Sequence, residues 1–239
     1  MDGIEELQRI FDESRRIVFF TGAGVSTESG IPDFRSADGL YNQKYKYRPE
    51  TIISHSFFEA DPAEFYRFYR DRMIYPAAKP NPAHLAMAAL EKAGRSLGVV
   101  TQNIDGLHTM AGSHDVAELH GCIYRNHCTR CGKAYGLEAI TSSPEVPHCS
   151  CGGIIKPDVV LYEEGLDEDV ISHGLDLISQ ADTLVIAGTS LVVYPAAGLI
   201  NYFSGDHLVV INKSATPQDA RADLLIQQPV GEVMGCIRI

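Results

Sequence analysis

The sequence predicts an α/β protein built on a doubly wound parallel sheet, with a second, smaller lobe inserted into it. Three observations carry the prediction. Short apolar runs recur at 17–20, 97–100, 183–187 and 208–211, each of strand length and apolar throughout or nearly so. A strand apolar on both faces belongs in the middle of a sheet covered on both sides, as parallel sheets are. Stretches of helical pattern lie between and beside them at 82–93, 167–180 and 195–203, and strands alternating with helices give the doubly wound arrangement. Two segments, 36–79 and 121–156, break that rhythm and supply the material for the second lobe.

Bulk properties narrow the functional classes. A chain of 239 residues accommodates one large domain with an inserted module. Twenty Lys and Arg against 31 Asp and Glu leave a net charge of −11, which disfavours nucleic-acid binding by phosphate neutralisation and suits cationic partners. No apolar run approaches the roughly 20 residues of a membrane span. The first sixteen residues are acidic and helical in pattern, without a basic start or an apolar core of an export signal, so a cytoplasmic location is expected. In that setting six cysteines, four of them in two close pairs, point to metal before disulfides.

Along the chain, Ile4, Leu7, Ile10 and Phe11 fall at helical spacing and predict a first amphipathic helix. The strand at 17–20 ends abruptly in Gly22-Ala23-Gly24-Val25-Ser26-Thr27, where glycines let a backbone approach a pyrophosphate and a following helix offers its free N–H groups. The third glycine of a dinucleotide fingerprint is displaced to Gly30, and a plain tight turn fits the same residues. Pro32-Asp33-Phe34-Arg35 comes next; it reads either as a cover over a bound cofactor or as a surface loop with Phe34 tucked inward. Segment 36–79 is rich in aromatic and basic side chains, among them Tyr41, Tyr45, Phe57, Phe65, Tyr66 and Tyr69, and is expected to form loops and short helices.

Thr101-Gln102-Asn103-Ile104-Asp105 leaves the carboxyl end of the strand at 97–100, where open α/β sheets bind ligands. Its amides and carboxylate suit hydroxyls or a carboxamide, and capping of a helix by Asn103 or Asp105 is the competing reading. His120 stands at the seam between the two lobes, a favoured place for a ligand cleft and for a general base. Cys128-Thr129-Arg130-Cys131 and Cys149-Ser150-Cys151 are separated by 17 residues, and both knuckles are closely followed by glycine. Four thiolates in that pattern fit a closed tetrahedral zinc site, so Cys128, Cys131, Cys149 and Cys151 are the expected ligands of a structural metal. Cys122 and Cys236 have no partner at useful spacing and read as packed thiols.

Taken together, 22–35, 101–108, 118–121, the cysteine pairs, 156–164, 188–199 and 210–214 resemble the sirtuin family, in that family's order and over nearly the whole chain. The resemblance implies a Rossmann-like NAD-binding domain from residues 1–35, 80–120 and 157–239. It also implies a small lobe made of a helical module at 36–79 and a zinc-ribbon module at 121–156. NAD would lie between them. Gly22, Ala23, Gly24, Thr27, Phe34 and Arg35 would form the phosphate turn and cofactor loop. Gln102, Asn103, Ile104 and Asp105 would meet the nicotinamide and ribose, while Thr189, Ser190, Asn212 and Val230 would meet the adenosine. Val159-Val160-Leu161 and Leu191-Val192-Val193 resemble two edges between which a substrate peptide adds as a strand.

The activity implied is NAD-dependent removal of an acyl group from protein lysine, acetyl-lysine peptides being the expected partners. NAD is consumed: nicotinamide is released and the acyl group passes to ADP-ribose. His120 would serve as the base, with Asn103 and Asp105 holding the nicotinamide. The chain departs from the family pattern at Glu163, where glycine is usual. Desuccinylases of the family carry Tyr and Arg three apart on a small-lobe helix; here Tyr69 stands where that Arg belongs, while Arg70, four after Tyr66, and Arg72, three after Tyr69, share a helix face with those tyrosines, so a shifted register would supply the pair. Short apolar acyl groups, chiefly acetyl, are therefore expected, with a desuccinylase or a mono-ADP-ribosyltransferase as alternatives. A zinc module without catalysis and a hydride-transferring dehydrogenase are the more remote readings.

Overall fold

The computed structural model describes residues 3–34, 39–40 and 45–239; Arg35 and Tyr41 lie outside them. Helix α1 (Gly3–Glu13) buries Leu7, Ile10 and Phe11, and strand β1 (Ile17–Thr21) is buried at all five positions. Three helices follow: α2 (Pro49–Ile52), α3 (His55–Ala60) and α4 (Pro62–Arg72). Ser54 and Asp61 start the last two by accepting the free N–H groups of Phe57 and Glu64. Helix α5 (Pro82–Lys92) starts at a capping box formed by Asn81 and His84.

Strand β2 (Ser96–Thr101), helix α6 (Leu107–Ala111) and strand β3 (Val116–Glu118) come next, then β4 (Gly121–Cys128), β5 (Ala134–Tyr135), α7 (Glu138–Thr141) and β6 (Ile155–Val159). The chain ends with α8 (Glu168–Gln180), β7 (Thr183–Ala187), β8 (His207–Ile211), β9 (Leu224–Ile226) and α9 (Val230–Met234). The predicted helix at 195–203 is a 3₁₀ helix over Ala196–Tyr202: Gly198 weakens an α-helix at its centre, and its N–H closes on Pro195 three residues back.

Six strands form one sheet in the order β3-β2-β1-β7-β8-β9, every pairing parallel. Alternation along β1 decides which core each residue joins. Ile17 and Phe19 enter a cluster with Leu7 and Phe11 of α1, Met87 and Leu90 of α5, and Val233 of α9. Val18 and Phe20 enter the opposite cluster with Leu177 and Ile178 of α8 and with Leu199 and Ile200. Each such side chain contributes about 1.5–3 kcal/mol by leaving water, and both faces need it. The apolar runs of the sequence thus become central strands.

The smaller sheet, in the order β5-β4-β6, is antiparallel. Strand β6 spans the expected boundary at 156/157. Phe58, Phe65, Tyr66 and Tyr69 from the helices share one core with Ile123, Ile140, Ile155 and Val159. Edge-to-face contacts at 5.0–5.2 Å join Phe58, Phe65 and Tyr66, and the Tyr66 hydroxyl donates to the Ile155 carbonyl at 2.5 Å.

Candidate active site

The sheet order reverses between β1 and β7: from β1 the chain winds outward through β2 and β3, and from β7 through β8 and β9. Ligands of open α/β sheets bind at such a switch point, beyond the carboxyl ends of the strands. Segments 22–30, 102–105, 188–190 and Asn212 emerge there from β1, β2, β7 and β8. His120 follows β3 on the same edge of the sheet.

The turn after β1 differs from the expected helix opening. It consists of two three-residue 3₁₀ turns, Ala23–Val25 and Thr27–Ser29. Its glycines answer a packing demand from within the protein. A Cβ at Gly22 would lie 2.7 Å from the Thr189 side chain, and one at Gly24 2.8 Å from the Gly188 Cα. Gly24 N–H instead donates to the Gly188 carbonyl at 2.7 Å, sewing the turn to the exit of β7. Thr27 donates its hydroxyl to the Gly24 carbonyl at 3.0 Å. Ala23, Gly24 and Thr27 are half-buried, and so is Phe34, which does not join the apolar clusters.

The polar segment after β2 folds onto that turn. Ser26, missing from the sequence-derived set of cofactor contacts, donates to Asp105 at 2.6 Å and accepts from the Asn103 amide at 3.1 Å. Asp105 takes the Leu107 N–H on its other oxygen at 2.9 Å, so it also supports the start of α6. Burial raises the Asp105 pKa, and these two bonds only partly offset it. Among the described residues this carboxylate has no cationic partner. Gln102 reaches across to the Thr189 hydroxyl at 2.9 Å, bridging the ends of β2 and β7.

The His120 ring is held at Nδ1, 2.9 Å from the Gln102 carbonyl. A carbonyl only accepts, so Nδ1 carries the proton and Nε2 keeps a lone pair. Burial lowers the pKa of His120, with the Gln102 bond opposing, so the ring is neutral near pH 7. Gly121 follows at φ 76°, where any side chain would collide with the Asp158 backbone across the β4–β6 pairing. The His120 carbonyl in turn accepts the Val160 N–H at 3.0 Å.

Val159 and Leu161 are buried and Val160 half-buried at one edge; at the other, Val192 is exposed and Val193 half-buried beside buried Leu191. Each edge holds a non-glycine residue in the left-handed region, Glu163 at φ 76° and Leu191 at φ 54°. Glycine relieves that conformation, which gives the physical sense of the family's usual glycine at 163. Here the Glu163 carboxylate accepts the Ser56 N–H at 2.8 Å and hydroxyl at 3.0 Å, tying the loop to α3. Thr189 is buried, Ser190 and Asn212 are half-buried, and Val230 is buried at the start of α9. The Glu28 carboxylate accepts the Gly231 N–H at 2.6 Å and so draws α9 to the turn.

Cys128, Cys131, Cys149 and Cys151 bring their sulfurs within 4.8 Å of one another. Cys128–Cys151 at 3.4 Å and Cys131–Cys149 at 3.7 Å approach the ~3.8 Å that a tetrahedron of ~2.3 Å zinc–sulfur bonds requires. No pair among them is a disulfide. The cluster is consistent with a structural zinc, and all four coordination positions are taken by sulfur. Cys122 is buried as expected, whereas Cys236 is exposed on the last turn after α9.

A parallel sheet with a polar, histidine-bearing cleft at its switch point and a four-cysteine module beside it defines a nucleotide-type α/β enzyme with a structural metal site. Residues 22–195 match the model of the Sir2 family. The NAD-dependent protein deacetylase of Clostridium perfringens is 59% identical over 98% of both chains. That of Clostridium acetobutylicum is 56% identical over 98% of this chain and 97% of its own. A structure solved for the mechanism and regulation of Sir2 enzymes superposes with a TM-score of 0.89 at 38% identity, covering 98% of this chain and 95% of that one. A Sir2 complex with p53 peptide and NAD+ gives 0.85 at 42%, over 97% and 95%. The chain belongs to the Sir2 family, and its activity is that of an NAD-dependent protein deacetylase. Among the described residues no helix is long and apolar enough to cross a membrane.

Proposed function

We propose that this chain deacetylates acetyl-lysine in proteins at the switch-point cleft, with His120 as the base. The observation that carries the reading is the His120 tautomer: a neutral ring, pinned at Nδ1, presents Nε2 as the only proton acceptor of the side chain. NAD, when bound, supplies an electrophilic sugar carbon with nicotinamide as its leaving group. The chain's own groups do the rest. Asp105 and Asn103, braced by Ser26, hold the nicotinamide riboside, and a half-buried carboxylate with no cationic partner among the described residues suits a positively charged ring. His120 Nε2 takes a proton from a ribose hydroxyl, and Phe34 shields the reacting centre from water.

Gly22, Ala23, Gly24 and Thr27 line the phosphates, with Arg35, which lies outside the described residues, expected to join them; Thr189, Ser190, Asn212 and Val230 take the adenosine. Gln102 and Ile104 border the nicotinamide. A peptide adds as a strand between 159–161 and 191–193, its backbone pairing with both edges. Relatives of known structure have been solved with acetylated peptide, which supports this class of substrate. The large lobe is taken as 1–35, 80–120 and 157–239, with 36–79 and 121–156 forming the small one.

The arginines support acetyl over succinyl. Arg70 donates to the carbonyls of Ile140, Pro144 and Glu145, and Arg72 pairs with Asp71 and stacks on Tyr45. Tyr66 and Tyr69 are buried in the small-lobe core. Arg67, the third arginine of α4, is exposed and pairs with Glu64, so each guanidinium of the helix already has a partner. Incubating acetylated and succinylated forms of one peptide with NAD tests both points. Deacetylated peptide with stoichiometric nicotinamide, at a kcat/KM at least about tenfold above that for succinyl, is expected. ADP-ribosylated protein without deacylation would overturn the reading in favour of a transferase.

A further inference from the structure

Two histidines outside this machinery face each other inside the large lobe. His84 of α5 and His108 of α6 are 0% and 2% exposed, with ring centroids 4.8 Å apart. Burial holds both neutral, pulling His84 down to about 4 and His108 well below its ordinary range. A neutral imidazole has one donor and one acceptor nitrogen, and the partners decide which is which.

His84 Nδ1 lies 3.3 Å from the Asn81 N–H, which can only donate, so the His84 proton sits on Nε2. His108 Nε2 lies 3.0 Å from the Thr21 hydroxyl. That hydroxyl already donates to the Thr101 hydroxyl oxygen at 2.8 Å, so it accepts from His108, whose proton also sits on Nε2. The Thr101 oxygen accepts the Asn103 backbone N–H at 3.0 Å. An ordered chain of hydrogen bonds therefore runs from His108 through the last residues of β1 and β2 to Asn103. The two remaining nitrogens, His84 Nε2–H and His108 Nδ1, are buried and make no hydrogen bond among the described residues. One donates and the other accepts, so across the ring pair they are complementary.

We infer that His108, with His84 matching its tautomer, is a positioning residue for Asn103: it orients the two threonine hydroxyls that fix where the polar segment leaves β2. The inference rests on Asn103 contacting the nicotinamide riboside.

The test uses the full zinc-loaded chain. Thr101→Val breaks the chain of bonds and Thr101→Ser keeps the hydroxyl; His108→Leu removes the donor and His108→Gln retains one. Thr101→Val and His108→Leu are expected to lower kcat/KM for NAD about tenfold, the scale of one lost hydrogen bond, with peptide KM unchanged. Thr101→Ser and His108→Gln should restore most of it. Nitrogen-15 NMR of the imidazoles should place the His84 and His108 protons on Nε2 and the His120 proton on Nδ1. Equal losses in Thr101→Val and Thr101→Ser, losses that merely follow melting temperature, or a His108 proton on Nδ1 would overturn the inference. Asn103→Ala is assayed alongside. If it is impaired while Thr101→Val is not, the inference alone fails; if it is fully active, the cofactor reading of Asn103 fails and takes the inference with it.

Discussion

His120 and Asp105 depart from their ordinary pKa values in opposite directions for one reason: burial disfavours the charged form of each. His120 therefore gains its proton only below its ordinary 6.5, and Asp105 gains its proton above its ordinary 3.8. Activity needs the first neutral and the second charged, so both losses occur as the pH falls, and the one due to His120 lies below its ordinary 6.5. The acid limb of kcat/KM that reports His120 should be centred below pH ~6.5; a limb centred above pH ~7 would exclude a desolvated His120 as the base. His120→Ala should fold normally and lose about a hundred- to ten-thousandfold in kcat. Loss of secondary structure by circular dichroism would instead make the ring a packing residue. At this scale the sequence was uneven as a guide. Asn103 and Asp105 stand out as polar groups just past a strand, and His120 by its place at the seam of the two lobes. Ser26 looked like one more turn hydroxyl, because its two partners lie 77 and 79 residues away. His84 sits in a helical stretch and His108 in a glycine-flanked motif, and neither spacing announces that their rings meet.

At the scale of elements, the central strands were plain because each is apolar on both faces, while β3 and β9 escaped notice at three residues each. Both are edge strands, and sequences so short carry no period. The glycine turn was legible as a turn but not in its purpose: Gly24 yields to the Gly188 backbone before any ligand arrives. Glu163 is where backbone and side chain compete. Its left-handed φ favours glycine, while its carboxylate holds Ser56. Glu163→Ala keeps the strain and loses the contacts, whereas Glu163→Gly loses the contacts and relieves the strain. The alanine variant should be the less stable by about 1 kcal/mol in chemical denaturation; equal stabilities would show that the backbone there is relaxed. The four-cysteine cluster suits a structural zinc, which contributes about 10–16 kcal/mol to small domains whose own cores are thin. Cys128→Ser, or chelation, should lower melting temperature and activity together. An unchanged melting temperature would argue against zinc as the staple.

For the molecule as a whole, two lobes meet where substrate and cofactor are proposed to lie, so ligand binding should register as global stability. NAD at a hundred times its Kd should add about 2.7 kcal/mol to unfolding, seen as a rise in melting temperature that His120→Ala retains. No shift at saturating NAD would place the dinucleotide elsewhere or nowhere. The doubly wound class and the gathering of the two inserted segments into one lobe are expectations of the sequence; the contacts that join those segments are not legible in it. That joining depends on aromatic contacts between α4 and the small sheet that no local signal encodes. One bond across this junction has a metrical consequence. Residue 120 is gripped from both sides: its ring by the carbonyl of Gln102, its own carbonyl by the amide of Val160. On the proposed reading, the proton acceptor and the rail on which the peptide lies share a single residue as datum. A guest strand slipped by one repeat would carry its modified lysine ~6.8 Å past the ring. The choice of which lysine reacts is thus set by a ruler built into the backbone, ahead of any side-chain preference of the flanking sequence.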